Sequence, residues 1–146
     1  IATNNPVNYY PVPSTQSRSV TFSNINTTGM TINCTKGSGT RRVFFMKASH
    51  TGNAVPINNA TYISNPSFES GSQIGTTGWY CVYNGNGNSV NVNNLTINTE
   101  YNVMVCEYNG SADSQQYNIN TASGNPATRR RPTNFALWSG RALRTA

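Results

Sequence analysis

A chain of 146 residues is one domain plus extensions, large enough to bury a real core. Ten Lys and Arg against four Asp and Glu leave charges scarce, and a polar surface of Asn, Thr, Ser and Gly disfavours a helical fold, because these residues form turns and strand edges. No apolar run approaches the ~20 residues of a membrane span, and the net charge of +6 is concentrated at one end: Arg129, Arg130, Arg131, Arg141 and Arg144 lie beyond residue 128, whereas Glu69, Glu100, Glu107 and Asp113 lie before it.

Residues 1–16 carry Pro6, Pro11 and Pro13 around Tyr9 and Tyr10. They read as an extended arm, since proline removes a ladder donor and favours extended geometry in its predecessor. Val20, Phe22 and Ile25 suggest a first strand, ended by the Asn26-Thr27-Thr28-Gly29 turn, and Met30, Ile32 and Cys34 alternate in a second. Gly37-Ser38-Gly39 turns the chain into Arg41 to Ala48, where the run Val43-Phe44-Phe45-Met46 predicts a central strand buried on both faces. From Ser49 to Gly78 the composition is Gly, Asn, Ser, Pro and Thr with isolated Val55, Ile57, Tyr62, Ile63, Phe68 and Ile74, which predicts long loops with one or two short edge strands. Trp79 to Tyr83 is a strand. The Asn84-Gly85-Asn86-Gly87-Asn88 turn follows, read as supplying positive φ, and Val90 and Val92 return from it.

From Tyr101 onward, Tyr101, Val103 and Val105 fall on one face of a strand, and Asn102, Met104 and Cys106 on the other. After Tyr108, Asn109-Gly110-Ser111 makes another hairpin, and Tyr117 with Ile119 marks the last strand, for a total of seven or slightly more. Leu95, Ile97, Thr99 and Tyr101 sit two apart, as in a tyrosine corner, where a phenol hydroxyl bonds back to upstream backbone. On these residues the chain resembles a fibronectin type III module, whose usual Leu-x-Pro-x-Thr-x-Tyr-x-Val-x-Val departs here only at Ile97 in place of proline. The expanded 49–78 segment resembles the modules of bacterial secreted and surface proteins. The resemblance implies an all-β, immunoglobulin-like Greek-key sandwich over residues 17–128, with an N-terminal arm over 1–16 and a basic, aromatic arm over 129–146. In many family members the position of Cys34 is a core tryptophan, so the resemblance implies a gap there, with Trp79 the candidate to fill it.

Catalytic chemistry finds little support. His50, the only histidine, has no acid near it in sequence, and Glu100 and Glu107, seven apart on one strand, face opposite ways. Cys34, Cys81 and Cys106 are far apart with no C-x-x-C, which excludes a zinc site and allows at most one disulfide; strand parity argues against a Cys34–Cys106 bridge, so Cys34 is expected as a buried free thiol. Gly85-Asn86-Gly87 lacks the ending of a phosphate loop. No cofactor or metal is expected. The Asn-x-Ser/Thr triplets at Asn26, Asn33, Asn59, Asn94 and Asn109 are those that an Asn- and Thr-rich chain produces by chance.

Two features stand above this background. Trp79, Tyr80 and Tyr83 could stack on sugar faces amid asparagine amides, or Trp79 could instead fill the core. In the tail, Arg129, Arg130 and Arg131 precede Phe135, Leu137 and Trp138, which are costly to leave in water. This reads as a docking segment for another protein, with single-stranded nucleic acid the less favoured partner. Tyr9 and Tyr10 are the matching candidates at the other end. The first residue is Ile and no basic-then-apolar leader is present, so the chain is expected to be a processed product or fragment of an extracellular protein, secreted or on a cell or virion surface. The expected function is a non-enzymatic structural or adhesive module, joined by its arms to copies of itself or a neighbouring subunit in a filament, surface layer or virion decoration. The alternative is a carbohydrate-binding module of a larger secreted enzyme or adhesin.

Overall fold

The computed structural model describes residues 10–131 and places eight strands, and no helix, among them. In chain order they are β1 (Arg18–Ser23), β2 (Met30–Thr35), β3 (Arg41–Lys47), β4 (Tyr80–Gly85), β5 (Ser89–Val92), β6 (Glu100–Asn109), β7 (Gln116–Tyr117) and β8 (Ala127–Arg130). Alternation of apolar and polar residues sets the first sheet, ordered β1-β2-β5 and antiparallel, in which Phe22, Ile32 and Val90 share one row. The second sheet is ordered β4-β3-β6-β7, with β8 also pairing β6. β3 has the central place that its apolar run requires, and Val43 through Met46 are all without solvent exposure.

The second sheet is buried on both faces because it carries two cores. Toward the first sheet, Phe44, Met46, Val82, Tyr101, Val103 and Val105 meet Val20, Met30, Ile32, Cys34 and Val92, closed by Phe68 and Leu95. On the outer face, Val43, Phe45, Cys81, Cys106, Tyr108 and Tyr117 are covered by the segment before β4, which contributes Tyr62, Ile74 and Trp79. The 49–78 segment therefore forms a third layer. It holds no edge strand, only the isolated bridges Ser67 to Asn93 and Gln73 to Tyr80. Its buried residues are too widely spaced to show a period, which is why the segment reads as loop.

Two expectations about aromatic packing are corrected here. Trp79 lies in the outer core and Cys34 in the core between the sheets, so the tryptophan does not fill the space at Cys34. The turn after β4 also works differently: no residue from 84 to 88 has positive φ. The Tyr83 hydroxyl accepts a bond from the Gly87 N–H at 2.7 Å, and a Cβ at either Gly85 or Gly87 would stand 2.6 Å from that hydroxyl. The glycines make room for the phenol. A register shift between Phe44 and Phe45, opposite Tyr83 and Cys81, brings both Val82 and Tyr83 against the inter-sheet core.

The tyrosine corner is formed. The Thr96 N–H donates to Tyr101 Oη at 2.8 Å, Leu95 and Tyr101 are buried, and the Tyr101 ring meets Phe68 edge-on at 5.4 Å. Ile97, in the usual place of proline, is 38% exposed.

Both ends of the sandwich differ from expectation. Ile119 is exposed and lies outside β7, and the last strand is instead β8, paired with β6 from Val103↔Ala127 to Glu100↔Arg130. Ala-Thr-Arg-Arg has no apolar alternation, so nothing but backbone pairing marks it as a strand, and it crosses the boundary expected at residue 128. At the other end, residues within the expected arm belong to the body. Gln16 Nε2 donates to the Asn118 and Asn120 carbonyls, its Oε1 accepts from the Glu107 N–H, and Asn118 Nδ2 donates to the Pro13 carbonyl. Tyr9 lies outside the described residues, as do Phe135, Leu137 and Trp138.

Candidate functional site

Trp79, Tyr80 and Tyr83 do not form a shared exposed platform. Trp79 is 1% exposed beneath the loop layer, where it lines a cavity of about 210 Å³ with Met104, Cys106 and Ile119, and its Nε1 is buried without a partner. Tyr80 meets Phe68 edge-on at 5.6 Å and Tyr83 meets Phe44 at 5.1 Å, both against the inter-sheet core. Each ring has a packing role, although Tyr80 and Tyr83, unlike Trp79, stay partly exposed.

The strongest polar constellation is one that charge counting passes over. Arg42 is buried at one end of the inter-sheet core and forks onto Glu107, with Nε to Oε2 at 2.7 Å and NH2 to Oε1 at 3.0 Å. Arg42 NH1 also donates to the Asn86 and Gly87 carbonyls and NH2 to that of Gly39. Glu107 in turn accepts from the Gly37 and Gly39 N–H groups at 2.9 and 2.8 Å and from the Ser17 hydroxyl. Burial pushes the Glu107 carboxyl up, but the bonds from Arg42, Ser17 and Gly37 outweigh it and hold its pKa below the ordinary 4.5. The pair joins β3, β6, two turns and the segment before β1. A signal was present in the sequence: Arg42 has the strand parity of Phe44 and Met46, and Glu107 that of Tyr101, Val103 and Val105. A charge at the inward position of each of two strands calls for a partner.

These groups are unsuited to catalysis. Glu107 is consumed by its bonds and lies at the far end of β6 from Glu100, a span of roughly 23 Å for seven residues. His50 has beside it an acid distant in sequence, with Nδ1 2.6 Å from Glu100 Oε1, but both groups are at the surface, and Arg130 NH1 approaches the same carboxylate at 3.9 Å. Cys34, Cys81 and Cys106 are free and buried, Cys34 between the sheets and the other two beneath the loop layer. Burial pushes Cys81 and Cys106 up to about 12, and it also raises Cys34 against a lowering hydrogen bond with Ser17. All three stay protonated at neutral pH and are poor nucleophiles. Among the described residues, no three His, Cys, Asp or Glu side chains gather as a metal site would require, and no helix is long and apolar enough to cross a membrane.

The arginines expected to meet a partner as a group are separated. Arg129 and Arg130 are exposed on β8, where Arg130 NH2 donates to Asn98 Oδ1 at 2.8 Å. Arg131 is turned inward and fully buried, its backbone N–H donating to the Thr99 carbonyl and its NH1 to that of Gly29, while Nε and NH2 have no partner. It cannot serve as an exposed contact. Tyr10 is 44% exposed at the start of the described chain.

No protein-family profile and no curated protein sequence matches the chain. A solved structure of domains A168–A170 from titin resembles it with a TM-score of 0.50 and 14% sequence identity, over 84% of this chain and 33% of that one. The chain thus spans about a third of the titin structure. At this identity the likeness speaks for the fold alone. The fold is a fibronectin type III and immunoglobulin-like sandwich.

Proposed function

We propose that the chain is a non-enzymatic structural or adhesive module that joins an extracellular assembly through the β8 edge and the segment that continues it, with copies of itself or a neighbouring subunit as partner. One observation carries this reading: the two edges of the larger sheet are treated differently. Along β4, the loop layer supplies backbone partners, with Cys81 N–H to the Ser72 carbonyl at 2.7 Å and Asn65 N–H to the Cys81 carbonyl at 3.1 Å. Along β8, no further strand pairs among the described residues, and in the sequence the exposed Arg129 and Arg130 are followed, after the buried Arg131, by Phe135, Leu137 and Trp138. An open edge followed by apolar residues suits strand addition, the backbone giving affinity and the side chains specificity.

The test compares the full chain with one ending at Arg131, which keeps β8 whole, by light scattering at low and high salt. Association of the full chain that weakens with salt, and its absence in the truncated chain, supports the reading. Two monomers at high concentration would sink it.

A further inference from the structure

We propose that the cavity at the β6–β7 end of the outer face binds an acidic sugar, a hydroxylated ring that carries a carboxylate. The proposal is independent of the assembly edge and rests on a different set of side chains.

The cavity measures about 290 Å³ and is lined by Arg41, Asn84, Tyr108, Ser111 and Gln115, among others. Its cation is held in a fixed orientation by a chain of hydrogen bonds. Asn84 Nδ2 donates to the Tyr62 carbonyl at 2.9 Å, the buried Tyr108 hydroxyl donates to Asn84 Oδ1 at 2.7 Å, and Arg41 Nε donates to that hydroxyl at 3.0 Å. Bonding at Nε sets the plane of the guanidinium and leaves NH1 and NH2 without a partner among the described residues. None of the ion pairs there includes Arg41. Two free N–H groups on one planar fork match the two oxygens of a carboxylate.

The second observation is at the buried wall. Gln115 is 2% exposed, its Nε2 donates to Thr61 Oγ1 at 2.7 Å, and its Oε1 is buried without a partner. Oε1 is closed off from solvent, so a hydrogen-bonding guest would answer it once the Gln115 amide turns toward the cavity. A hydroxyl meets the need whichever way the amide is turned, because it both donates and accepts. A simple carboxylate would leave Gln115 unanswered, and a neutral sugar would leave the Arg41 fork no better served than by water. The volume lies just below the roughly 300–1,000 Å³ of small-molecule sites, which suits one ring at most. Carboxylate and hydroxyls on one ring define the uronic acids.

The experiment titrates the 15N-labelled full chain with glucuronate, short galacturonate oligomers, glucose, acetate and a peptide with a free C-terminus, following amide shifts at Gly110 to Gln115. Saturation by a uronate at least ten-fold tighter than by glucose, acetate or the peptide is expected. Arg41→Gln should weaken the uronate at least ten-fold, and Arg41→Lys should lose most of the same affinity, since it keeps the charge and loses the fork. Arg41 is exposed, so both variants should melt as the native chain does. The chain ending at Arg131 should bind uronate unchanged, which separates this result from the assembly test. The proposal is overturned if no uronate saturates the shifts, if acetate, glucose or the peptide binds equally well, or if Arg41→Gln changes nothing.

Discussion

Arg42 and Arg131 are both withdrawn from solvent, yet their guanidiniums are satisfied to different degrees. Arg42 meets a bidentate carboxylate and three carbonyls, so the cost of taking its charge out of water is offset within the chain. Arg131 has one carbonyl, at 3.1 Å, and two unpartnered nitrogens. Burial lowers its pKa, Tyr101 opposes that, and Arg129 adds to it. The first arginine completes a junction of five segments. The second ends β8 with a buried charge that the described residues leave largely unanswered.

Glu107→Gln should have the largest effect. The near-isosteric change leaves Arg42 buried opposite a neutral amide, and breaking such a pair costs about 3–5 kcal/mol. Chemical denaturation at pH 7 measures it. The pH profile sharpens the assignment: the folded pKa of Glu107 is depressed, so its stabilising contribution is fully present above the ordinary 4.5 and is lost as pH falls through the folded value. The gap between native chain and variant should therefore narrow below pH 4.5. A constant gap down to pH 2 would mean that the carboxylate charge is not what stabilises the junction.

Arg131→Met is the counterpart. Removing a buried charge with one bond recovers desolvation that the bond barely offsets, so the unfolding free energy should stay within about 1 kcal/mol of the native value or rise. A loss comparable to that of Glu107→Gln would erase the contrast between the two arginines.

Tyr101→Phe tests the corner beside Arg131. It leaves the Thr96 N–H without its acceptor while hardly changing volume, at a cost of about 1 kcal/mol. Equal midpoints would remove the corner from the reasons the β5–β6 connection holds its shape.

The sandwich was legible wherever burial follows strand alternation: Met30, Ile32 and Cys34 on β2, the doubly buried β3, and Tyr101, Val103 and Val105 on β6. The corner was legible because Leu95 and Tyr101 have a fixed spacing. β8 was not, since backbone pairing leaves no mark on Ala-Thr-Arg-Arg. Nor was the third layer, because Tyr62 and Ile74 are single apolar residues whose burial depends on a sheet face distant in sequence. The Arg41 fork and the unanswered Gln115 amide depend on four segments meeting at one end of that face, and nothing local in the chain announces it.

Backbone hydrogen exchange followed as a function of protein concentration tests the assembly edge most directly. At low concentration, the β8 amides directed away from β6 should exchange quickly and those of β3 slowly; as concentration rises, protection should grow at Ala127–Arg130 and stay constant along β3 and β4. Association with no change at β8, or with new protection confined to β4 or the first sheet, would contradict the assignment of β8 as the joining edge.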